Sequence, residues 1–136
     1  MSANLDLVRS IYADWARRDP ALNRMAPDVV FDLSRRLVDP EIYHGHAGLL
    51  KLREGLYEAW SEFRQEPKQY SASGNRVLAV LSIRGTGRTS GVKVVEQVAH
   101  VWTVDRGKVA RLEYFGDPVE AQRTLSDVGL RQESHP

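Results

Sequence analysis

Residues Arg76 to Phe115 read RVLAVLSIRGTGRTSGVKVVEQVAHVWTVDRGKVARLEYF, and the fold turns on them. Three extended runs, Arg76 to Arg88, Val92 to Val104 and Lys108 to Phe115, are rich in β-branched and aromatic residues. Ser90-Gly91 and Asp105-Arg106-Gly107 supply the turns between them. A fourth run, Gln65 to Ser73, precedes them across Gly74-Asn75, so the second half of the chain predicts a four-stranded antiparallel meander. These strands carry apolar residues on both faces: Val98 and Trp102 against Ala99 and Val101, with Leu81, Ile83, Leu112 and Tyr114 behaving alike. One face can pack on helices. A second apolar face left wet would be costly, which predicts a homodimer through the outer sheet face.

Upstream of the meander the period changes. Leu49, Leu52, Leu56, Trp60 and Phe63 fall on one helical stripe, with Lys51, Arg53, Glu54, Glu58 and Glu62 largely off it, and predict a long helix. Ser34 to Gly45, with Asp39-Pro40 and Tyr43-His44-Gly45, fits neither period and reads as a rim loop of the kind that carries function. Val29 to Leu33 reads as a first strand, with Phe31 and Leu33 on one side and Asp32 on the other. Leu5, Val8, Ile11 and Trp15 mark an opening amphipathic helix that Asp19-Pro20 ends, and Pro20 to Met25 suits a short second helix. Asp117-Pro118 to Leu125 has helical propensity, and Arg131 to Pro136 is polar enough to fray. Helices first, then a run of strands, predict a segregated α+β domain over residues 1–130 with a flexible tail over 131–136.

Composition narrows the function. At 136 residues the chain can bury one sizeable core. A formal charge of +1 offers no general field for nucleic acid or an anionic membrane surface, and neither partner is expected. The absence of cysteine excludes disulfides, thiol nucleophiles and thiolate metal sites. The N-terminal residues form no signal pattern and no apolar run approaches membrane-spanning length, so the expected location is the cytoplasm. The four histidines, His44, His46, His100 and His135, are not spaced to share one helical face, and no metal site is expected.

Alternation then sorts the strands into faces. Val98, His100 and Trp102 share one face, Arg111, Glu113 and Phe115 another, and Ser82, Arg84 and Thr86 a third. If all three look inward, His100, Glu113 and Arg84 converge. A carboxylate and an imidazole in an apolar cavity tune toward neutral pKa while a guanidinium orients a carbonyl or anion. The competing reading is an ion pair of Glu113 with Arg84 or Arg111 that serves the fold alone. Trp15, Phe31, Leu33, Trp60, Val98, Trp102, Arg111 and Phe115 are the residues expected to contact a bound molecule, although aromatics at such spacings also make ordinary cores. Arg35 and Arg36 lie in the rim loop, and the sequence leaves open which of them guards the mouth.

The order of elements, the Asp39-Pro40 to Gly45 loop, the Arg84-Gly85-Thr86-Gly87-Arg88 to Ser90-Gly91 hairpin and the closing strand from Gly107 to Phe115 resemble the SnoaL-like group. That group stands in the nuclear-transport-factor-2-like superfamily with ketosteroid isomerase and limonene-epoxide hydrolase. The resemblance implies a cystatin-like cone, a curved antiparallel sheet wrapped by helices around a pocket for a small apolar molecule, and commonly a dimer without cofactor. Set against the epoxide-hydrolase pattern, Arg84 matches the arginine and Glu113 one acid, with Thr86 in place of the other acid. Set against the isomerase pattern, His100 falls near the acid that polarises the substrate oxygen, Tyr12 near the phenol, and Leu33 where the proton-shuttling carboxylate would be. Two functions follow. One is cofactor-free acid–base catalysis of the cyclase, isomerase or hydrolase type, with Glu113 or His100 as base and Arg84 or Tyr12 stabilising charge. The other is a binding or dimerisation module without catalysis.

Overall fold

The computed structural model describes residues 2–125; the tail expected over 131–136 lies outside the described residues. Helix α1 spans Ala3–Ala16, a 3-10 turn Leu22–Arg24, strand β1 Met25–Asp32, β2 Ile42–His44 and helix α2 Gly45–Ala59. Strands β3 Trp60–Ser73, β4 Arg76–Gly87, β5 Lys93–Asp105 and β6 Lys108–Phe115 form the meander, and a last helix, α3, begins at 118 and is described to 125.

All six strands form one sheet in the order β2-β1-β6-β5-β4-β3. The meander is antiparallel as expected, while β1 joins β6 in parallel, so the sheet is mixed. Register shifts interrupt β1 between Met25 and Val30, β3 at Trp60/Glu62 and Pro67/Gln69, and the β5–β6 pair at Thr103/Val104. Each such irregularity bends its strand, and together they curl the sheet into a half-cone. Pro67 sits at a shift on the edge strand β3, where its missing N–H does least harm.

Helix α1 is capped by Ser2, whose hydroxyl accepts from the Leu5 amide. It ends before Asp19-Pro20 in a Schellman turn: the Asp19 amide donates to the Asp14 carbonyl and the Arg18 amide to that of Trp15. Arg18 thereby takes the left-handed conformation, at φ 65°, which costs a non-glycine residue about 1–2 kcal/mol. Val8, Ile11 and Tyr12 of α1 pack into the concave face of the sheet with Phe31, Leu49, Val98 and Trp102.

Several boundaries differ from the sequence expectation: β1 begins at Met25 rather than Val29, and the short second helix is only the 3-10 turn Leu22–Arg24. Within the rim loop, Ile42–His44 pairs with β1 as the short β2. The stripe through Trp60 and Phe63 is not all helix: α2 stops at Ala59 and both aromatics belong to β3. The shift between Trp60 and Glu62 explains the coincidence, because an extra residue in the strand returns residues three apart to one face, with ring centroids 6.2 Å apart.

The convex face has its own cover. Leu78, Ala99, Val101 and Phe115 form a second cluster with Ala121 and Leu125 of α3. The apolar outer face that predicted a dimer is therefore partly buried by the chain itself.

Candidate functional site

Between the concave face and the two long helices lies a cavity of about 690 Å³. Trp15, Phe31, Leu33, Trp60, Leu112 and Tyr114 supply much of its apolar wall. Of the expected contact residues, Trp15, Phe31, Leu33 and Trp60 face this space. Val98 and Trp102 are on the same sheet face but fully packed, at 1% and 0% exposure, and belong to the core behind the wall.

A three-residue relay stands in the wall. The indole N–H of Trp102 donates to the Tyr12 hydroxyl at 3.0 Å, and that hydroxyl lies 2.7 Å from His100 Nδ1. Indole nitrogen can only donate, so the tyrosine oxygen accepts there. Its proton has no other acceptor among the described residues, and Nδ1 can take it. In that tautomer the ring of His100 carries its own proton on Nε2. Burial without a neighbouring carboxylate pushes the imidazole pKa down to about 3, and burial pushes the Tyr12 hydroxyl well above its ordinary value. The pair is neutral at physiological pH. His100 lines the cavity, and its Nε2 has no partner among the described residues.

The expected trio does not assemble. Register places His100 opposite Ala79 and Tyr114, whereas Glu113 pairs with Val101 and Asp32 on alternate positions, so Glu113 points to the convex face. There it sits between Arg35 at 3.7 Å and Arg111 at 3.6 Å, and Arg111 also binds Asp32 at 2.6 Å. The Asp32 carboxyl is partly desolvated, which raises its pKa, yet hydrogen bonds from Ser34 and the charges of Arg111 and Arg35 outweigh this and lower it. Arg84 is exposed on the same convex face, 3.9 Å from Glu66. Phe115 is packed under Arg35, whose guanidinium carbon lies 4.2 Å from its ring centre. Glu113, Arg84, Arg111 and Phe115 are thus separated from the cavity by the sheet. The alternation was read correctly within each strand, but the pairing register, which decides the face, was not visible.

Glu96 and Tyr114 are cavity residues that the sequence reading did not single out for the site. Glu96 lies four residues before His100 on β5, and period two alone assigns it the same face. Tyr114 stands directly opposite His100, its hydroxyl pKa raised by burial and then by Glu96. Arg36 of the rim loop reaches the cavity and donates to the Asp39 carbonyl at 2.8 Å, while Arg35 turns to the convex face. Leu33, where the isomerase pattern has its carboxylate, lines the cavity and can carry no proton.

Among the described residues no group of three histidines, aspartates or glutamates is placed to hold a metal ion, and no helix is long and apolar enough to cross a membrane.

Comparison with known proteins follows this geometry. Solved structures share the architecture over almost their whole length. An NTF2-like protein of unknown function from Burkholderia pseudomallei is 27% identical, with 93% of this chain and 99% of that one aligned at a TM-score of 0.76. TerC, co-crystallised with polyporic acid, is 23% identical over 92% and 99% of the two chains, with a TM-score of 0.75. A candidate polyketide cyclase from Xanthomonas campestris is 19% identical over 91% and 95%, with a TM-score of 0.74. No curated protein sequence matches significantly. The family model of the SnoaL-like domain matches residues 8–112, from the first buried residue of α1 to the middle of β6. This protein belongs to the SnoaL-like family and has its NTF2-like fold.

Proposed function

We propose that the cavity binds a small ring-bearing ketone and promotes removal of a proton conjugated to its carbonyl, the first step of a cyclase or isomerase. The observation that supports this reading is the Trp102–Tyr12–His100 relay in the cavity wall; with Tyr12 donating to Nδ1, the neutral imidazole has its Nε2–H free for a bound molecule. Such a donor strengthens its hydrogen bond as negative charge develops on the carbonyl oxygen, and it needs no reorganisation to do so. A depressed pKa makes His100 a poor base, so the proton must go elsewhere. Glu96 is the carboxylate on the same strand face. Four residues of strand put its Cα roughly 13 Å from that of His100, a span suited to a ring with a carbonyl at one end and an acidic carbon at the other. In that arrangement the C–H proton passes to the Glu96 carboxylate and the electron pair delocalises to the oxygen held by His100. Membership of the SnoaL-like family and the candidate polyketide cyclase among structures of the same fold are in keeping with it. Catalysis on this scheme asks no cofactor of the chain.

Anthrone, whose carbonyl and acidic methylene face each other across the central ring, is a suitable probe. Under nitrogen in D2O, the protein should accelerate deuterium uptake at the methylene. His100→Phe and Glu96→Gln should each lower the effect by about 10²-fold or more, the usual size of general acid–base assistance. Glu113→Gln, on the convex face, should change nothing. Tight binding of anthrone without faster exchange would instead favour a binding module.

A further inference from the structure

The charges around the cavity are unbalanced. Five arginines border it, at 18, 36, 53, 64 and 88, against two glutamates, Glu66 and Glu96; Arg64 and Glu66 do so from the edge strand β3, where Arg64 pairs with Glu62 at 3.3 Å. Glu66 is already taken by Lys68 at 3.1 Å. Among the described residues, no carboxylate comes within 4 Å of Arg18, Arg36, Arg53 or Arg88, although most other arginines here are paired.

Three of these arginines gather around one residue. The guanidinium carbons of Arg18 and Arg53 lie 5.1 Å and 5.4 Å from the ring centre of Tyr57. Arg88 donates to the Tyr57 carbonyl at 2.7 Å and to that of Trp60 at 3.0 Å, closing the C-terminal end of α2. The task of Arg88 is thereby accounted for, since cations favour helix C-termini. Arg53 donates to the Arg18 carbonyl at 2.6 Å and to the Tyr57 hydroxyl at 2.9 Å through one nitrogen, leaving the rest of its fork open. The guanidinium of Arg18 makes no hydrogen bond with a described residue, and it is carried at a left-handed position that glycine would occupy without strain. Two like charges on one aromatic ring, beside an apolar cavity and without a counter-ion, form an incomplete site.

We propose that Arg18 and Arg53 bind a carboxylate, so that the ligand is a ring-bearing organic acid: rings in the cavity, acid group at the mouth over Tyr57. This deepens the functional reading above and rests on its cavity. Planar, delocalised guanidinium groups suit a carboxylate, and both lie within cation–π distance of Tyr57. His100 then meets the far end of the same molecule.

The test compares anthraquinone-2-carboxylate with anthraquinone-2-carboxamide, which keeps the rings and removes the charge, by quenching of tryptophan fluorescence. The wild-type protein should bind the acid about tenfold tighter than the amide at low salt, and the advantage should shrink as salt screens it. In the double variant Arg18→Gly, Arg53→Gln the acid should lose this advantage while the amide binds as before. Glycine suits the backbone at 18, so unchanged amide binding doubles as the check on folding. Equal binding of acid and amide by the wild type, or an advantage that survives the double variant, would overturn the proposal while leaving the cavity reading intact. Failure of both compounds to bind would sink the cavity reading and this proposal with it.

Discussion

Neutral His100 is held by burial, and that has a thermodynamic consequence at the scale of one residue. In the unfolded chain its imidazole takes up a proton near pH 6.5, while in the fold it resists protonation down to about pH 3. Between these values the unfolded state binds more protons, so stability is fully present above pH 6.5 and is lost as pH falls. The slope approaches about 1.4 kcal/mol per pH unit. The Asp32 carboxyl, whose folded pKa is also lowered, adds its loss in a more acid range, as pH falls below that of an ordinary aspartate. Urea titrations at pH 7, 6 and 5 therefore isolate the histidine. Wild-type stability should decline across the series and His100→Gln should stay nearly flat; parallel curves for the two proteins would mean that His100 is not held neutral. His100 could be singled out in the sequence because it shares a strand face with Val98 and Trp102, where a polar group is costly to bury. Its partner Tyr12 is 88 positions away on α1, and only the likeness to an isomerase pattern pointed to it.

At the scale of elements, the junction of α2 and β3 shapes the cavity wall. Trp60 begins β3 and its ring lies across the backbone of Gly85 on β4: a Cβ built at Gly85 would come 2.7 Å from the ring. Glycine is required here by the close approach of an aromatic face, since its φ is not in the left-handed range. Gly85→Val should displace the indole, at a cost of about 1–3 kcal/mol for overpacking. The checks are a urea midpoint and the tryptophan emission maximum, which should move red as Trp60 becomes wetter. An unchanged spectrum would mean that the ring does not rest on the glycine. The same junction shows why periodicity misplaced the end of α2. Leu49, Leu52, Leu56, Trp60 and Phe63 share one side of a helix and, through the bulge after Trp60, they also line one side of a helix-to-strand turn. Hydrophobic spacing reports the side that is buried; it does not by itself report the backbone that delivers it.

For the whole molecule, the two faces of the sheet have been given different work. The concave face carries the cavity and the His100 relay, and the convex face carries the Asp32–Arg111–Glu113–Arg35 ion pairs together with the apolar cluster under α3. This division could not be read from alternation, since period two separates the faces of a strand without saying which one looks inward. Parallel pairing of β1 with β6 sets Phe31 beside Leu112 on the concave side and Asp32 beside Glu113 on the convex side. The helix α3 then decides how the convex face meets solvent. Ala121, fully buried, sits in the cluster with Leu78, Ala99, Val101 and Phe115. Ala121→Asp would force a carboxylate into that contact without a partner, and releasing the helix is the cheaper outcome. The uncovered sheet face would then be a contiguous apolar patch of the kind that drives association. Sedimentation at several protein concentrations should show the variant shifted to larger species than the parent, with carboxylate binding at the cavity retained. If the variant sediments as the parent does and loses stability alone, α3 is a packing element and the convex face has no latent tendency to pair.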